Sequence, residues 1–439
     1  MDPVRILILG AAGRDFHTFN TLFREDPRYE VKGFTAQQIP HIEDRRYPPE
    51  IAGPAYPDGI PIEPEDDLES LIAEHDIERC ILAYSDLSYQ YVMDLATRVN
   101  AAGSALELPD LARSMLKSSL PVVAVCASRT GAGKSPTSRA IVRILREAGK
   151  RVGVIRHPMP YSDLLVQRVQ RFGSMEDLDR YGVTIEEREE YEPHLAAGSV
   201  VWAGVDYGEI LREAEKEADV ILWDGGNNDA AFIKPDLYLT VVDPHRAGHE
   251  TRYYPGGLNV RLAHVVLINK IDTAEPADVQ LVRDNVKKLN PAAMVIEAAC
   301  PLLVDDPEIL RGKSVLAIED GPTVTHGEMR YGAASLAAME LGASLVPARP
   351  YAVGEIAHTF ELYPHLTDLL PAMGYGEAQT RDLEETVANA LSGGADAVAI
   401  GTPIDLSRLI EIPGPYTQVR YELQIGGRPN LSDVLADFL

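Results

Sequence analysis

The run Pro121-Val122-Val123-Ala124-Val125 passes directly into Cys126-Ala127-Ser128-Arg129-Thr130-Gly131-Ala132-Gly133-Lys134-Ser135 and then into a segment of helical period. A glycine-rich turn between a buried strand and a helix leaves backbone N–H groups free to cradle phosphates, and the helix N-terminus adds partial positive charge. Lys134 is placed to reach the β- and γ-phosphates, and the Ser135 hydroxyl to complete a Mg²⁺ shell. Ser128 stands where the consensus has glycine. After the loop, Ile141, Ile144, Leu145 and Ala148 form the stripe of a helix packed on a sheet, and Gly149 ends it. The loop therefore predicts an α/β fold with a mostly parallel sheet.

Further signals divide the chain into three blocks. Residues 1–119 read as a Rossmann-like domain. Val4–Leu9 is a buried strand ending in Gly10-Ala11-Ala12-Gly13-Arg14-Asp15, and strands follow at 30–34 and 80–83. The second strand ends at Thr35-Ala36-Gln37, without the acidic residue that would hold an adenosine ribose, so a structural or lid role is favoured over dinucleotide binding. The proline-rich stretch 47–64 reads as a long loop. Residues 120–311 carry the phosphate loop and a repeating strand–helix order. Residues 312–439 read as a C-terminal α/β region that either completes the sheet of the second block or stands alone.

Charge narrows the partners. Against 41 Lys+Arg stand 67 Asp+Glu, a formal net charge of −26. Such a surface repels nucleic acid and anionic lipid, so any phosphate site must be a local cationic concavity. Cys80, Cys126 and Cys300 are too far apart for a disulfide scaffold or a cysteine metal cluster. No apolar run reaches membrane-spanning length and the N-terminus lacks a signal-peptide pattern, so a cytoplasmic location is expected.

Two downstream motifs extend the nucleotide site. Asp219-Val220-Ile221-Leu222-Trp223-Asp224 is an apolar strand ending in a carboxylate, which places Asp224 beside the phosphate loop as a magnesium ligand, directly or through water. Gly225-Gly226-Asn227-Asn228-Asp229 then reads as a γ-phosphate-sensing turn. Asn269-Lys270-Ile271-Asp272 has the pattern that reads guanine, because the Asp272 carboxylate can accept from both N1–H and the exocyclic amine of that base.

Arginine and histidine clusters mark candidate polyanion contacts in so acidic a chain. Arg156 and His157 follow a strand, Arg168 and Arg171 are read as sharing a helical face, and Arg246 lies in Asp243–Arg252. Salt bridges with the abundant carboxylates are the competing reading. The run Glu186–Glu192 reads as a solvated helix face. His326 and Arg330, in a turn beside Thr323 and Thr325, are candidates for phosphate contact or proton transfer.

Taken together, Cys-Ala-Ser-Arg-Thr-Gly-Ala-Gly-Lys-Ser, Arg-His-Pro-Met-Pro-Tyr, Trp-Asp-Gly-Gly-Asn-Asn-Asp, Asn-Lys-Ile-Asp and Asp-Gly-Pro-Thr-Val-Thr-His-Gly resemble the cyclic 2,3-diphosphoglycerate synthetase family. That family overlaps a group of predicted GTPases, and the motif order is similar to that of SIMIBI-type P-loop proteins, which often act as homodimers. The resemblance implies ATP-driven closure of 2,3-bisphosphoglycerate to its cyclic pyrophosphate. Arg129, Thr130, Gly131, Ala132, Gly133, Lys134, Ser135, Asn269, Lys270 and Asp272 would hold ATP or GTP, and Ser135 and Asp224 the Mg²⁺. Arg156, His157, Arg168, Arg171, Arg246 and Arg330 would hold substrate phosphates, with Lys134, Asp224, His157 and His326 taking part in catalysis. Asn269–Asp272 departs from an ATP-dependent synthetase and keeps a SIMIBI-type GTPase switch or chaperone as the alternative.

Overall fold

A computed structural model describes residues 2–11, 13–36, 45–157, 163–226, 229–325, 329–374 and 376–439. Three main sheets follow one another along the chain, each with its own hydrophobic core.

In the first sheet the order is Arg46–Tyr47, Ile60–Pro64, Tyr29–Ala36, Val4–Leu9, Arg79–Leu82, Ala105–Glu107, parallel except for the outermost pair Arg46–Tyr47 and Ile60–Pro64. Side chains alternate across a strand, so Ile6 and Ile8 enter one core while Leu7 and Leu9 enter another on the opposite face. Both faces are thus covered, as a parallel sheet requires. The stretch 47–64, expected to be a loop, contains the short helix Pro49–Ala52 as well as the strand Ile60–Pro64.

The second sheet runs Gln170–Phe172, Val200–Ala203, Val152–Arg156, Val220–Asp224, Val122–Ala127, Leu237–Val242, Val265–Ile268, Met294–Glu297. All neighbours are parallel except the first pair. Parallel strands bring their C-terminal ends to one edge. The phosphate loop, Arg156, Asp224, Asp243 and Asn269 therefore gather there although they span more than a hundred positions of sequence.

The C-terminal residues build a sheet of their own instead of lengthening the second. Ser314–Asp320 pairs in parallel with Ala397–Ile400, Ser344–Leu345 and Leu370–Ala372, and Tyr416–Tyr421 links that set to Leu302–Val304. The chain end then returns to the second core through Leu423, Leu431, Leu435 and Phe438.

Two expectations about local structure are overturned. Gln170–Phe172 is an edge strand, so Arg168 and Arg171 share no helical face. The acidic run forms the helix Ile185–Ala196, but it is wedged between domains instead of solvated. Ile185 enters the third core while Tyr191 and Leu195 enter the second, so Glu186, Glu187, Glu189 and Glu192 are all buried.

No helix among the described residues is long and apolar enough to cross a membrane.

Candidate functional site

The phosphate loop joins the strand Val122–Ala127 to the helix Lys134–Glu147. Gly131 and Gly133 adopt left-handed φ of 77° and 105°. At Gly133 a side chain is excluded twice over, because a Cβ would also lie 1.9 Å from the Asn269 amide nitrogen.

Lys134 Nζ donates to Asp224 Oδ1 at 2.6 Å, and Arg156 and His194 approach Asp224 Oδ2 at 2.6 and 2.9 Å. Asp224 is 0% exposed and Arg156 1%. Burial alone would raise the Asp224 carboxyl, but Arg156, Lys134 and His194 overcome it and hold it well below its ordinary value. Burial, reinforced by Arg156, pulls Lys134 down to about 8 against the opposing pull of Asp224. Glu190 also meets the Arg156 guanidinium.

The guanine-type motif braces this loop. Asn269 donates to the Ala132 carbonyl at 3.0 Å, and Lys270 Nζ to the Gly131 carbonyl at 2.7 Å. Asp243 accepts from Lys270 and Arg246, and Arg246 also donates to the Thr130 carbonyl at 2.7 Å. Asp272 is exposed and accepts from the Cys300 amide at 3.1 Å.

The first domain reaches the same loop. Asp86, at φ 59°, accepts from the Thr130 hydroxyl and amide at 2.9 and 3.3 Å, and lies 2.7 Å from Arg129 Nε. Arg129 also stacks over Tyr253 and bonds His249, so it faces the domain junction. A two-stranded ribbon, Leu87–Ser88 with Tyr253–Tyr254, ties the junction. Nearby, Arg14 pairs with Asp229 at 3.0 Å and lies over Phe232, both side chains of the ion pair being buried. The first glycine turn is thus given over to interdomain contact.

Between the second and third domains lies a cavity of about 960 Å³. Thr130, Gly131, Gly133, Lys134, Ser135 and Lys270 line one end, and Arg139 and Arg143 extend it along the phosphate-loop helix. The other wall carries Glu189, Glu319 and Asp320. Glu319 accepts from the Ala334 and Ser335 amides and the Ser335 hydroxyl, capping the helix Ala333–Glu340, and burial pushes its carboxyl up to about 7.

Of the other expected substrate contacts, none among the described residues lines this cavity. Arg168 is bound to Glu209 at 2.6 Å and Arg171 to Glu217 at 2.6 Å, both at the surface, which is the salt-bridge reading. His157 sits at the first-domain junction, 3.7 Å from Asp229 and packed against Gly13 and Gly226. Arg156 lies behind Asp224, Arg246 braces the loop from outside, and Arg330 is exposed. His326, Asn227 and Asn228 lie outside the described residues. Asp86, His194, Glu189, Glu319 and Arg139 were not anticipated. A signal existed for Glu189: it shares the i, i+4, i+7 stripe with Ile185 and Glu192.

A parallel sheet whose central strand feeds a left-handed glycine loop, with a lysine beside an Asp-terminated strand, defines a P-loop NTPase fold. The chain is 58% identical over 435 residues, 99% of its length and 96% of the relative's, to the arginine synthetase ArcE of Thermococcus kodakarensis. It belongs to the family of that synthetase. Cyclic 2,3-diphosphoglycerate synthetase is not the name this relative carries, and no protein-family model matches the chain. Among solved structures, LpxK from Aquifex aeolicus in complex with ATP is similar over 84% of this chain and 99% of that one, at 13% identity and a TM-score of 0.46. The hydrogenase maturation factor HypB from Archaeoglobus fulgidus is similar over 40% and 80%, at 14% identity and a TM-score of 0.26.

Proposed function

We propose that the chain is an NTP-dependent synthetase that forms arginine from a ureido amino acid, citrulline, and ammonia. The observation that carries this reading is the two-sided cavity, with Lys134 at a phosphate-binding end and Glu189, Glu319 and Asp320 on the opposite wall. A reaction centre that starts neutral and ends as a guanidinium cation suits a cavity of that polarity. Membership of the arginine synthetase family supports it independently.

The chemistry divides into two steps. The ureido oxygen attacks the γ-phosphorus, the bond to the β-γ bridging oxygen breaks, and the nucleoside diphosphate leaves. Ammonia then adds to the activated carbon, the C–O bond to the phosphoryl group breaks, and inorganic phosphate departs with a proton, leaving the guanidinium. Lys134, held by Asp224, neutralises charge on the transferring group, and the loop amides fix its position. The Ser135 hydroxyl, at the start of the helix inside the cavity, would hold a magnesium ion brought with the nucleotide. Both Asp224 oxygens already face nitrogen donors, so it fits an outer role better than direct coordination. Such an ion would shield phosphate charge. The nucleotide is ATP or GTP.

A second reading, closure of 2,3-bisphosphoglycerate, draws on the motif resemblance and on Arg139 and Arg143 in the cavity. Against it, the same trapped polyanion would face the acidic wall.

The test supplies ATP or GTP with Mg²⁺ and either citrulline plus ammonium or 2,3-bisphosphoglycerate, following products by phosphorus NMR and amino-acid analysis. Arginine and phosphate formed one to one, dependent on both citrulline and ammonium, is the expected result. A cyclic pyrophosphate signal would establish the second reading. GTP hydrolysis indifferent to every small substrate would sink both and leave a switch GTPase.

A further inference from the structure

Glu189 is the feature of the cavity that the nucleotide chemistry leaves unused. It is 5% exposed, lines the cavity, and neither carboxylate oxygen has a hydrogen-bond partner among the described residues. A buried carboxylate without a donor is costly, so such groups are found paired unless a ligand completes them. Its neighbours deepen the demand for a cation. Asp320 at the end of the third domain's central strand and Glu186 one helical turn away both act on it with like charge. Glu186 spends one oxygen on the Gly374 amide and lies outside the cavity lining, and Glu319 is committed to its helix cap, so of these three Glu189 is the carboxylate that presents both oxygens to the cavity.

We propose that Glu189, with Asp320 beside it, seats the nitrogen that the reaction installs: an ammonium ion before transfer and a guanidinium nitrogen after it. This rests on the arginine-forming reading. The ammonium N–H donates to the Glu189 carboxylate. Its proton passes to that carboxylate, the freed lone pair forms the new C–N bond, and the proton on the added nitrogen leaves with the expelled phosphate. Over the cycle one proton is released, the one Glu189 takes from ammonium. Burial, with Asp320 and Glu186 adding repulsion, holds the Glu189 carboxyl well above its ordinary value, which makes its ionised form a stronger base toward ammonium. The two oxygens of Glu189 can take a planar guanidinium through two parallel N–H bonds.

The experiment compares the full-length wild type with Glu189→Gln and Glu189→Asp. KM is measured for ammonium, citrulline and nucleotide, alongside calorimetric binding of arginine, agmatine and citrulline. Glu189→Gln is expected to raise KM for ammonium at least tenfold and to abolish agmatine binding. KM for nucleotide should stay within twofold, which also reports an intact fold, and Glu189→Asp should recover part of the ammonium effect. An unchanged ammonium KM in a wild type that does make arginine would overturn the subsite while the function stands. If the wild type makes no arginine, the function fails, and the binding arm alone decides. Agmatine bound by wild type but not by Glu189→Gln keeps the cation site, and equal or absent binding removes it. Magnesium or calcium displacing agmatine from the wild type at millimolar concentration would make this a metal site and overturn the proposal.

Discussion

Asp86, from the first domain, accepts a hydrogen bond from the Thr130 hydroxyl of the phosphate loop at 2.9 Å. The same carboxylate meets Arg129 and the Thr130 amide, so a loop built by the second domain takes part of its shape from the first. The first domain thereby clamps the phosphate loop, and the Arg14–Asp229 pair makes a second contact between the two domains.

Removing that clamp has a defined consequence. Charge-assisted hydrogen bonds contribute about 1.5–3 kcal/mol each, so Asp86→Ala is expected to weaken nucleotide binding by roughly tenfold or more. KM for nucleotide should rise with little change in the KM for ammonium. Nucleotide titration giving wild-type affinity would show that the loop keeps its shape without the first domain.

Gly133→Ala combines a left-handed φ of 105° with a Cβ placed 1.9 Å from Asn269. Loss of nucleotide binding is expected, with circular dichroism close to wild type. Adding Asn269→Ala relieves the collision but not the backbone strain, so the double variant should recover only part of the affinity. Full recovery would show that crowding alone mattered.

The Lys134 amine, lowered by burial to about 8 from its ordinary value of 10.5, predicts pH dependence with a particular sign. Between those values the unfolded chain binds more protons than the folded one, so this group's contribution to stability rises as pH climbs through the window. Nucleotide affinity moves the other way, because phosphate requires the charged amine. Calorimetry near pH 8.5 in buffers of different ionisation enthalpy should detect proton uptake on nucleotide binding. Its absence would place the titration elsewhere.

Asp224→Asn removes the negative charge at the centre of a buried cluster and leaves Lys134, Arg156 and His194 facing one another. Breaking a buried pair costs about 3–5 kcal/mol, so a marked fall in melting temperature and loss of turnover are expected. Adding Arg156→Met removes one of the cations left crowded there and should restore part of the stability without turnover. Stability unchanged in the single variant would mean that the cluster is not a net electrostatic anchor.

The phosphate loop, the Asp-terminated strand ending at Asp224 and the parallel α/β order are legible in the residues alone. These depend on local period, glycine spacing and strand ends, which are written in contiguous residues. The sequence also marked Asn269 and Lys270 for the site, though their observed work is to brace the loop carbonyls. Tertiary structure decided which charges face the cavity and which are spent elsewhere. Arg168 and Arg171 looked like substrate arginines until Glu209 and Glu217 were brought beside them. The acidic helix looked solvated until two cores closed on its opposite faces and left Glu189 buried on the cavity wall. Asp86 carries no local pattern, and its role arises where a domain packs against a loop more than forty residues away in sequence. Burial and long-range pairing are properties of the assembled chain, and they fix both which carboxylates are paired and which await a ligand.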